Sequence, residues 1–351
     1  MKKLKIGIIG TGGIGTTHMD SYQKCDKVEV TAVCDINEER VKAFAEKYGV
    51  QKYYKNYQEM LDKEELDGVS VCTWNDTHAE ISIAALKAGK NVLCEKPMAM
   101  NAKQGEQMLK TAKETGKLLM IGFVRRFGIN ADIAKEYINH GELGDIYYAK
   151  TQCVRRAGNP CGWFADKKRS GGGPLIDLGV HMIDLSRYLM GKPKAVAVSG
   201  MTSSGIGSRM NIKGINRYLA RDTNSDCDVE DFATAFVRFD NGAVLNVEVS
   251  FSAHIKEDVL SLDLQGLKGG MKIEPKLEFY SEKYDYLTDV TPVFQEPNNV
   301  FNAIFEREVA HFAECILTGC ECRNPAEDGL ELMKILDAVY ESAKCGKEVI
   351  L

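Results

Sequence analysis

The segment Lys5–Ile6–Gly7–Ile8–Ile9–Gly10–Thr11–Gly12–Gly13–Ile14–Gly15 constrains the fold more than any other stretch of the chain. A short apolar run suited to a buried strand ends in glycines spaced G-x-G-x-x-G, and the residues from His18 to Cys25 can continue as a helix. In a strand–turn–helix of this kind Gly10 permits the tight turn. Gly12 lets the backbone approach a pyrophosphate, and Gly15 lets helix and strand pack closely. Thr11, Gly13 and Ile14 complete the loop, and the helix N-terminus offers N–H groups and partial positive charge to phosphates. Glycine turns are common, so the loop alone is a weak signal.

The next β-rich run, Val28 to Cys34, strengthens it. That run ends in Asp35, about 20 positions after Gly15, the offset of a carboxylate that accepts from the adenosine ribose hydroxyls. Asp35 also reads as an ordinary helix cap before Ile36–Asn37–Glu38–Glu39–Arg40, but the glycine loop favours the cofactor reading. An acid here repels a 2′-phosphate, so NAD is expected over NADP, with Arg40 able to soften the preference.

Strands and helices alternate as far as a strand over 118–121, which implies a doubly wound parallel sheet with ligands beyond its C-terminal strand ends. Near Gly122 the texture changes. One helix and one strand lead to a polar loop ending at Arg169, and a helix follows Gly171–Gly173. Repeated short strands over 195–273, with the turn Asp240–Asn241–Gly242, predict antiparallel hairpins. Two helices close the chain, and Ser203–Ser225 reads as a long mobile loop. The expected division is 1–122 for a dinucleotide-binding domain and 123–351 for a substrate and oligomerisation domain, with the helix over 326–344 packing back on the first.

Length and charge agree with that division. A chain of 351 residues has room for two domains, and its net charge of −5 argues against nucleic acid as a partner. No window approaches a membrane span, and the apolar run after Met1–Lys2–Lys3 is too short for a signal peptide, so a cytoplasmic protein is expected. Of the 11 cysteines, Cys34, Cys72 and Cys94 sit in strand runs, as buried reduced thiols would. Cys315, Cys320 and Cys322 form the one cluster. No second Cys/His pair stands at zinc spacing, so no metal is expected.

Two further clusters carry chemistry. Cys94–Glu95–Lys96–Pro97 stands at the C-terminal end of the fifth strand, where such sheets present ligand-binding groups. Asp177 and His181 stand at i and i+4 on the helix after the glycines and share a face, with Asp184 a turn further on. A carboxylate beside an imidazole orients the ring and raises its basicity, which makes a general base competent near neutral pH. The stripe Leu175, Leu178, Met182, Leu185 and Leu189 packs the helix without that face. Trp163 and Arg156, in the loop before it, are candidate substrate contacts, and so is Arg126 at the end of the first domain.

Taken with Cys72–Thr73–Trp74–Asn75–Asp76–Thr77–His78 and Val229–Glu230–Asp231, these blocks resemble the Gfo/Idh/MocA family along essentially the whole chain. The resemblance implies an N-terminal NAD(P)-binding Rossmann domain and a C-terminal α/β domain with an open, mainly antiparallel sheet. That sheet often forms the contact of a homodimer or homotetramer. It further implies oxidation or reduction of a secondary alcohol on an inositol, a sugar or a related polyol. Lys96, Asp177 and His181 match the dehydrogenase triad, and Ile36, Thr73, Trp74, Asn75, His78, Glu95 and Lys96 fall at cofactor positions. Trp74 departs from the family's usual proline. Two other classes of reading are a non-catalytic NAD sensor and a lyase or glycosidase that oxidises its substrate transiently.

Overall fold

In the computed structural model, which describes residues 3–215, 217–220 and 226–351, the apolar run forms β1 (Leu4–Ile9) and the glycine loop leads into α1 (Gly13–Tyr22). Alternation continues through β2 (Val28–Cys34), α2 (Glu38–Tyr48), β3 (Lys52–Tyr54), α3 (Tyr57–Lys63) and β4 (Gly68–Val71). Next come α4 (His78–Lys87), β5 (Asn91–Cys94), α5 (Ala102–Thr115) and β6 (Leu119–Ile121). Then follow α6 (Ile129–Asn139), β7 (Ile146–Val154), α7 (Lys167–Ser170) and α8 (Val180–Leu189). A run of strands comes next: β8 (Ala195–Ser203), β9 (Phe232–Phe239), β10 (Val244–Ser250), β11 (Val259–Gly266), β12 (Gly269–Glu274), β13 (Glu278–Lys283) and β14 (Tyr286–Val290). The chain closes with α9 (Val300–Thr318), α10 (Ala326–Cys345) and β15 (Val349–Ile350). It divides into two compact units, Met1–Gly128 with Pro297–Leu330, and Ile129–Glu296 with Glu331–Leu351.

The first unit is built on a six-stranded parallel sheet of order β3-β2-β1-β4-β5-β6. The strand order reverses between β1 and β4, the point where an open α/β sheet leaves a crevice at its carboxyl edge. Its helices begin and end as the sequence dictates. Asn37, Asn56 and Asn101 cap α2, α3 and α5 through their side chains, and Gly49 and Gly116 end α2 and α5 in the left-handed conformation. Ile6, Ile8, Leu93 and Met120 from the sheet share a core with Val309, Phe312 and Ala313 of α9, which also packs on α1.

The second unit carries a nine-stranded sheet of order β14-β13-β12-β11-β7-β10-β9-β8-β15. β7 and β10 run parallel, and the other neighbouring pairs are antiparallel. Alternate residues of β9 are buried, so one face of the sheet points inward, and α8 packs on β7, β10 and β11. Beyond the five strands expected after 195, the sheet gains β13, β14 and β15. Within 203–225 the described residues form turns tied at their start by Asp231, whose carboxylate accepts from the Gly205, Ile206 and Gly207 N–H groups at 2.8, 2.7 and 3.0 Å. Residues 216 and 221–225 of the expected mobile loop lie outside the described residues.

Candidate active site

In the first unit the glycine loop has the steric character its spacing predicts. Gly10 has φ +97°, and a Cβ there would lie 2.4 Å from the Cys72 carbonyl oxygen. At Gly15 a Cβ would lie 2.0 Å from the Gly10 carbonyl oxygen. Above Gly12 and Gly13 a Cβ would meet nothing within 4 Å, so the loop is tight beneath and open on top. No side chain caps α1, which leaves its first N–H groups to the open side.

Asp35 locks this loop in place. One carboxylate oxygen accepts from the N–H and the hydroxyl of Thr11, each at 2.9 Å, and the other accepts from the Asn37 N–H at 2.9 Å. Arg40 stands 3.5 Å from the same carboxylate. A cleft of about 340 Å³ runs from Gly10 and Gly12 past Asp35 and Ile36 to Thr73 and Trp74. The residues present fit a dinucleotide: open glycines and a helix N-terminus for phosphates, an acid for ribose, and an aromatic ring further along.

Three residues expected against the cofactor are placed otherwise. His78 is buried, with its ring nitrogens 2.7 Å from the Pro97 carbonyl oxygen and 3.2 Å from that of Thr73. It fastens the turn after β4 to the turn after β5, and burial lowers its pKa against the raising effect of those two carbonyl groups. Asn75 is buried in the same turn and does not line the cleft. Glu95 is also buried, and its carboxylate lies 2.8 Å from Nε2 of the buried His18. That bond fixes the strand end from which the half-buried Lys96 emerges. The signal for it was present in His18, one turn into α1.

Arg126, expected as a substrate ligand, is a correction. It is fully buried in the first unit, and its guanidinium donates to Asp328 at 2.8 Å and to the Arg323 carbonyl oxygen at 2.6 Å. The neighbouring Arg125 is the one that remains partly exposed.

In the second unit, Leu175–Gly179 form a widened π-helical turn that runs into α8. Such insertions are frequent at functional sites because they re-aim side chains within a packed helix. From Gly172 to Arg187 every residue is buried except Asp177 and His181, each of which keeps partial exposure. The expected apolar stripe is buried throughout, and Asp184, expected on the open face, is buried as well. Between Gly172 and Arg187 the chain thus keeps partial exposure at Asp177 and His181 alone.

The start of this helix is held by Glu230, which sequence reading placed only as part of a motif block. Its carboxyl group accepts from the N–H groups of Gly173 and Leu175 at 2.9 and 3.2 Å and from the Tyr340 hydroxyl at 2.9 Å. Burial raises the Glu230 pKa, against the lowering effect of those three donors. The glycines are required by contact. A Cβ on Gly172 would fall 1.9 Å from the Tyr340 hydroxyl, and one on Gly173 would fall 2.3 Å from the Glu230 carbonyl oxygen.

In the preceding loop, Trp163 is half-buried with its ring 4.0 Å from that of Phe164. Arg156 is exposed, and its guanidinium donates to the Lys256 carbonyl oxygen at 3.0 Å. Asn159 is fully buried and accepts from the Cys161 N–H at 2.8 Å.

The profile of an oxidoreductase family's NAD-binding Rossmann fold matches residues 4–123, and that of the family's C-terminal α/β domain matches residues 135–351. The chain is 32% identical to D-glucoside 3-dehydrogenase of Escherichia coli, over 99% of this chain and 97% of that protein. It is 35% identical to myo-inositol 2-dehydrogenase of Thermotoga maritima, over 54% of this chain and 55% of that protein. Among solved structures, levoglucosan dehydrogenase in complex with NADH superposes with a TM-score of 0.86 at 25% identity, covering 99% of each chain. With both halves matched in order, the chain belongs to the Gfo/Idh/MocA oxidoreductase family.

Proposed function

We propose that this protein is an NAD-dependent dehydrogenase that transfers hydride between the nicotinamide and a secondary alcohol of a sugar, inositol or related polyol. The observation that carries the reading is the first unit's cleft, tight beneath Gly10 and Gly15, open above Gly12 and Gly13, and closed by Asp35. The relatives act on glucosides and inositols by name, which supports the substrate class.

When bound, NAD supplies the hydride acceptor, and the chain's own residues hold it and manage the proton. The open loop glycines would receive the pyrophosphate beside Thr11, whose own donors are held by Asp35; Asp35 would face the adenosine ribose, and Ile36, Thr73 and Trp74 would form the rest of the cleft wall. His181 takes the proton of the substrate hydroxyl as the C–H bond breaks, and Asp177 steadies the imidazolium that forms. Lys96 stabilises charge that develops on the substrate oxygen. Trp163 and Arg156 are proposed to contact the sugar from their loop. Residues 123–351 are proposed as the substrate and oligomerisation domain. A homodimer or homotetramer through the second unit's sheet agrees with the apolar side chains exposed on β13 and β14. A cytoplasmic setting agrees with 11 free cysteines. No helix of the described residues is long and apolar enough to cross a membrane.

The test is a panel of glucosides, inositol isomers, aldoses and sugar acids with NAD and NADP, followed through NADH formation. His181→Ala should lower turnover of the substrate found by about 10²–10⁴-fold while cofactor affinity is retained. Product formation without net NADH would indicate transient oxidation, and tight NAD binding with no turnover would indicate a sensor.

A further inference from the structure

At the C-terminal end of α9 two thiols and an imidazole come together in a place the dehydrogenase reading does not use. His311 and Cys315 stand one helical turn apart, and their Nε2 and Sγ atoms are 3.4 Å apart. The segment after the helix folds back so that Cys320 Sγ lies 3.5 Å from Cys315 Sγ. The ligand atoms of His311, Cys315 and Cys320 all fall within 4.8 Å of one another. Cys322, half-buried, follows two residues after Cys320 in the same segment.

The separations match a metal geometry. With Zn–S about 2.3 Å and Zn–N about 2.0–2.1 Å, a tetrahedral site sets neighbouring sulfurs about 3.8 Å apart and sulfur to nitrogen about 3.5 Å. The His311–Cys315 and Cys315–Cys320 separations lie within a few tenths of an ångström of those values. The sequence spacing of Cys315, Cys320 and Cys322 carries no zinc signature. The nitrogen donor is a histidine on the helix before them, so only the fold brings the set together.

The surroundings suit the ion. The His311 ring is half-buried against Phe127, with ring centroids 5.5 Å apart, and its Nε2 accepts the Arg323 N–H at 2.9 Å. Nε2 is therefore unprotonated, with its lone pair directed at the Arg323 N–H and the Cys315 sulfur 3.4 Å away. The positive charge of Arg323 reaches the site as well. Two thiolates balance the charge of a divalent cation.

We propose that His311, Cys315 and Cys320 bind zinc as three protein ligands, with water in the fourth position. Each of the two thiols gives its proton to solvent as its sulfur binds zinc, the His311 Nε2 lone pair turns to the metal, and the Arg323 N–H turns to a ligating sulfur. No electron is transferred. The site ties the end of α9 to the segment 319–325, and that segment supports the sheet. The Asn324 carbonyl oxygen accepts the Ile121 N–H of β6 at 3.0 Å, and the Arg323 carbonyl oxygen accepts from Arg126.

The test uses the full chain purified under reducing conditions without added chelator. Elemental analysis should find about one zinc per chain. After metal exchange, Co(II) should give the thiolate-to-metal charge-transfer and visible bands of a tetrahedral site. Cys320→Ser changes an exposed residue. It should weaken zinc by more than the roughly 10–100-fold that loss of an outer hydrogen-bond partner costs, whereas the exposed Cys345→Ser should leave zinc bound. Removal of zinc should lower the melting temperature without abolishing cofactor binding. The proposal is overturned if the reduced protein carries no metal and takes up neither zinc nor Co(II). It is equally overturned if the protein is isolated with a Cys315–Cys320 disulfide that re-forms after reduction in the presence of zinc.

Discussion

Arg126 shows what burial does to the meaning of a charged residue. Its side chain is fully enclosed, with Asp328 and a backbone carbonyl as partners, so its charge holds two distant parts of one unit together. Removing one partner of a buried ion pair leaves the other without compensation, at a cost of about 3–5 kcal/mol. Arg126→Met should therefore lower unfolding stability by about that amount in urea titrations, with the KM for the sugar unchanged in the folded fraction. A raised KM at unchanged stability would return Arg126 to the substrate site. Sequence reading reached the residue but not its partner, because Asp328 is 202 positions away and nothing local links them. Asp35 was legible for the opposite reason: its offset from Gly15 is fixed by one βαβ step. His311 lay hidden beside its cysteines because a helical turn, and not a zinc-knuckle spacing, sets their distance.

At the scale of elements, the helix bearing Asp177 and His181 depends on its first turn, which Glu230 holds by two backbone N–H groups. Gly173→Ala would drive a methyl group into the Glu230 carbonyl, so it should cost both stability and turnover, whereas a change at an exposed glycine such as Gly141 should not lower turnover. Glu230 also gives a pH signature. Its folded pKa is raised above 4.5 by burial, so protonation favours the folded state. The stability this supplies is complete below the unfolded value and is lost as pH rises through the folded value. Urea unfolding between about pH 4 and pH 8 should therefore show the wild type losing ground relative to Glu230→Gln as pH rises. A constant difference across that range would remove Glu230 from the pH dependence. Strand and helix alternation was legible in the first unit because its buried strands are short apolar runs closed by glycine and asparagine signals. β13 and β14 were not, since Glu278–Lys283 and Tyr286–Val290 carry polar residues on both faces of an outer hairpin. The π-helical turn also escaped, because Leu175–Gly179 has ordinary helical composition and only packing widens it.

For the molecule as a whole, the proposed contact with a second copy is tested best at the hairpin at the edge of the nine-stranded sheet. β14 is the terminal strand, and a terminal strand leaves backbone N–H and C=O groups unpaired on its outer side. Soluble proteins usually blunt such an edge with charge or proline, yet this one displays Tyr286 and Leu287, 74% and 86% exposed, beside Tyr284 at 82%. Clustered exposed apolar side chains mark interaction surfaces, and closed symmetry makes a contact between like patches the commonest arrangement. Because these side chains contribute little to packing within their own chain, Tyr286→Lys combined with Leu287→Lys should leave the circular dichroism and melting of the protomer essentially intact. Light scattering on the eluting protein should then report a smaller assembly than the wild type. If the mass stays at the wild-type value, the hairpin is not the contact, and the outward face formed by β9, β10 and β7 becomes the surface to alter next.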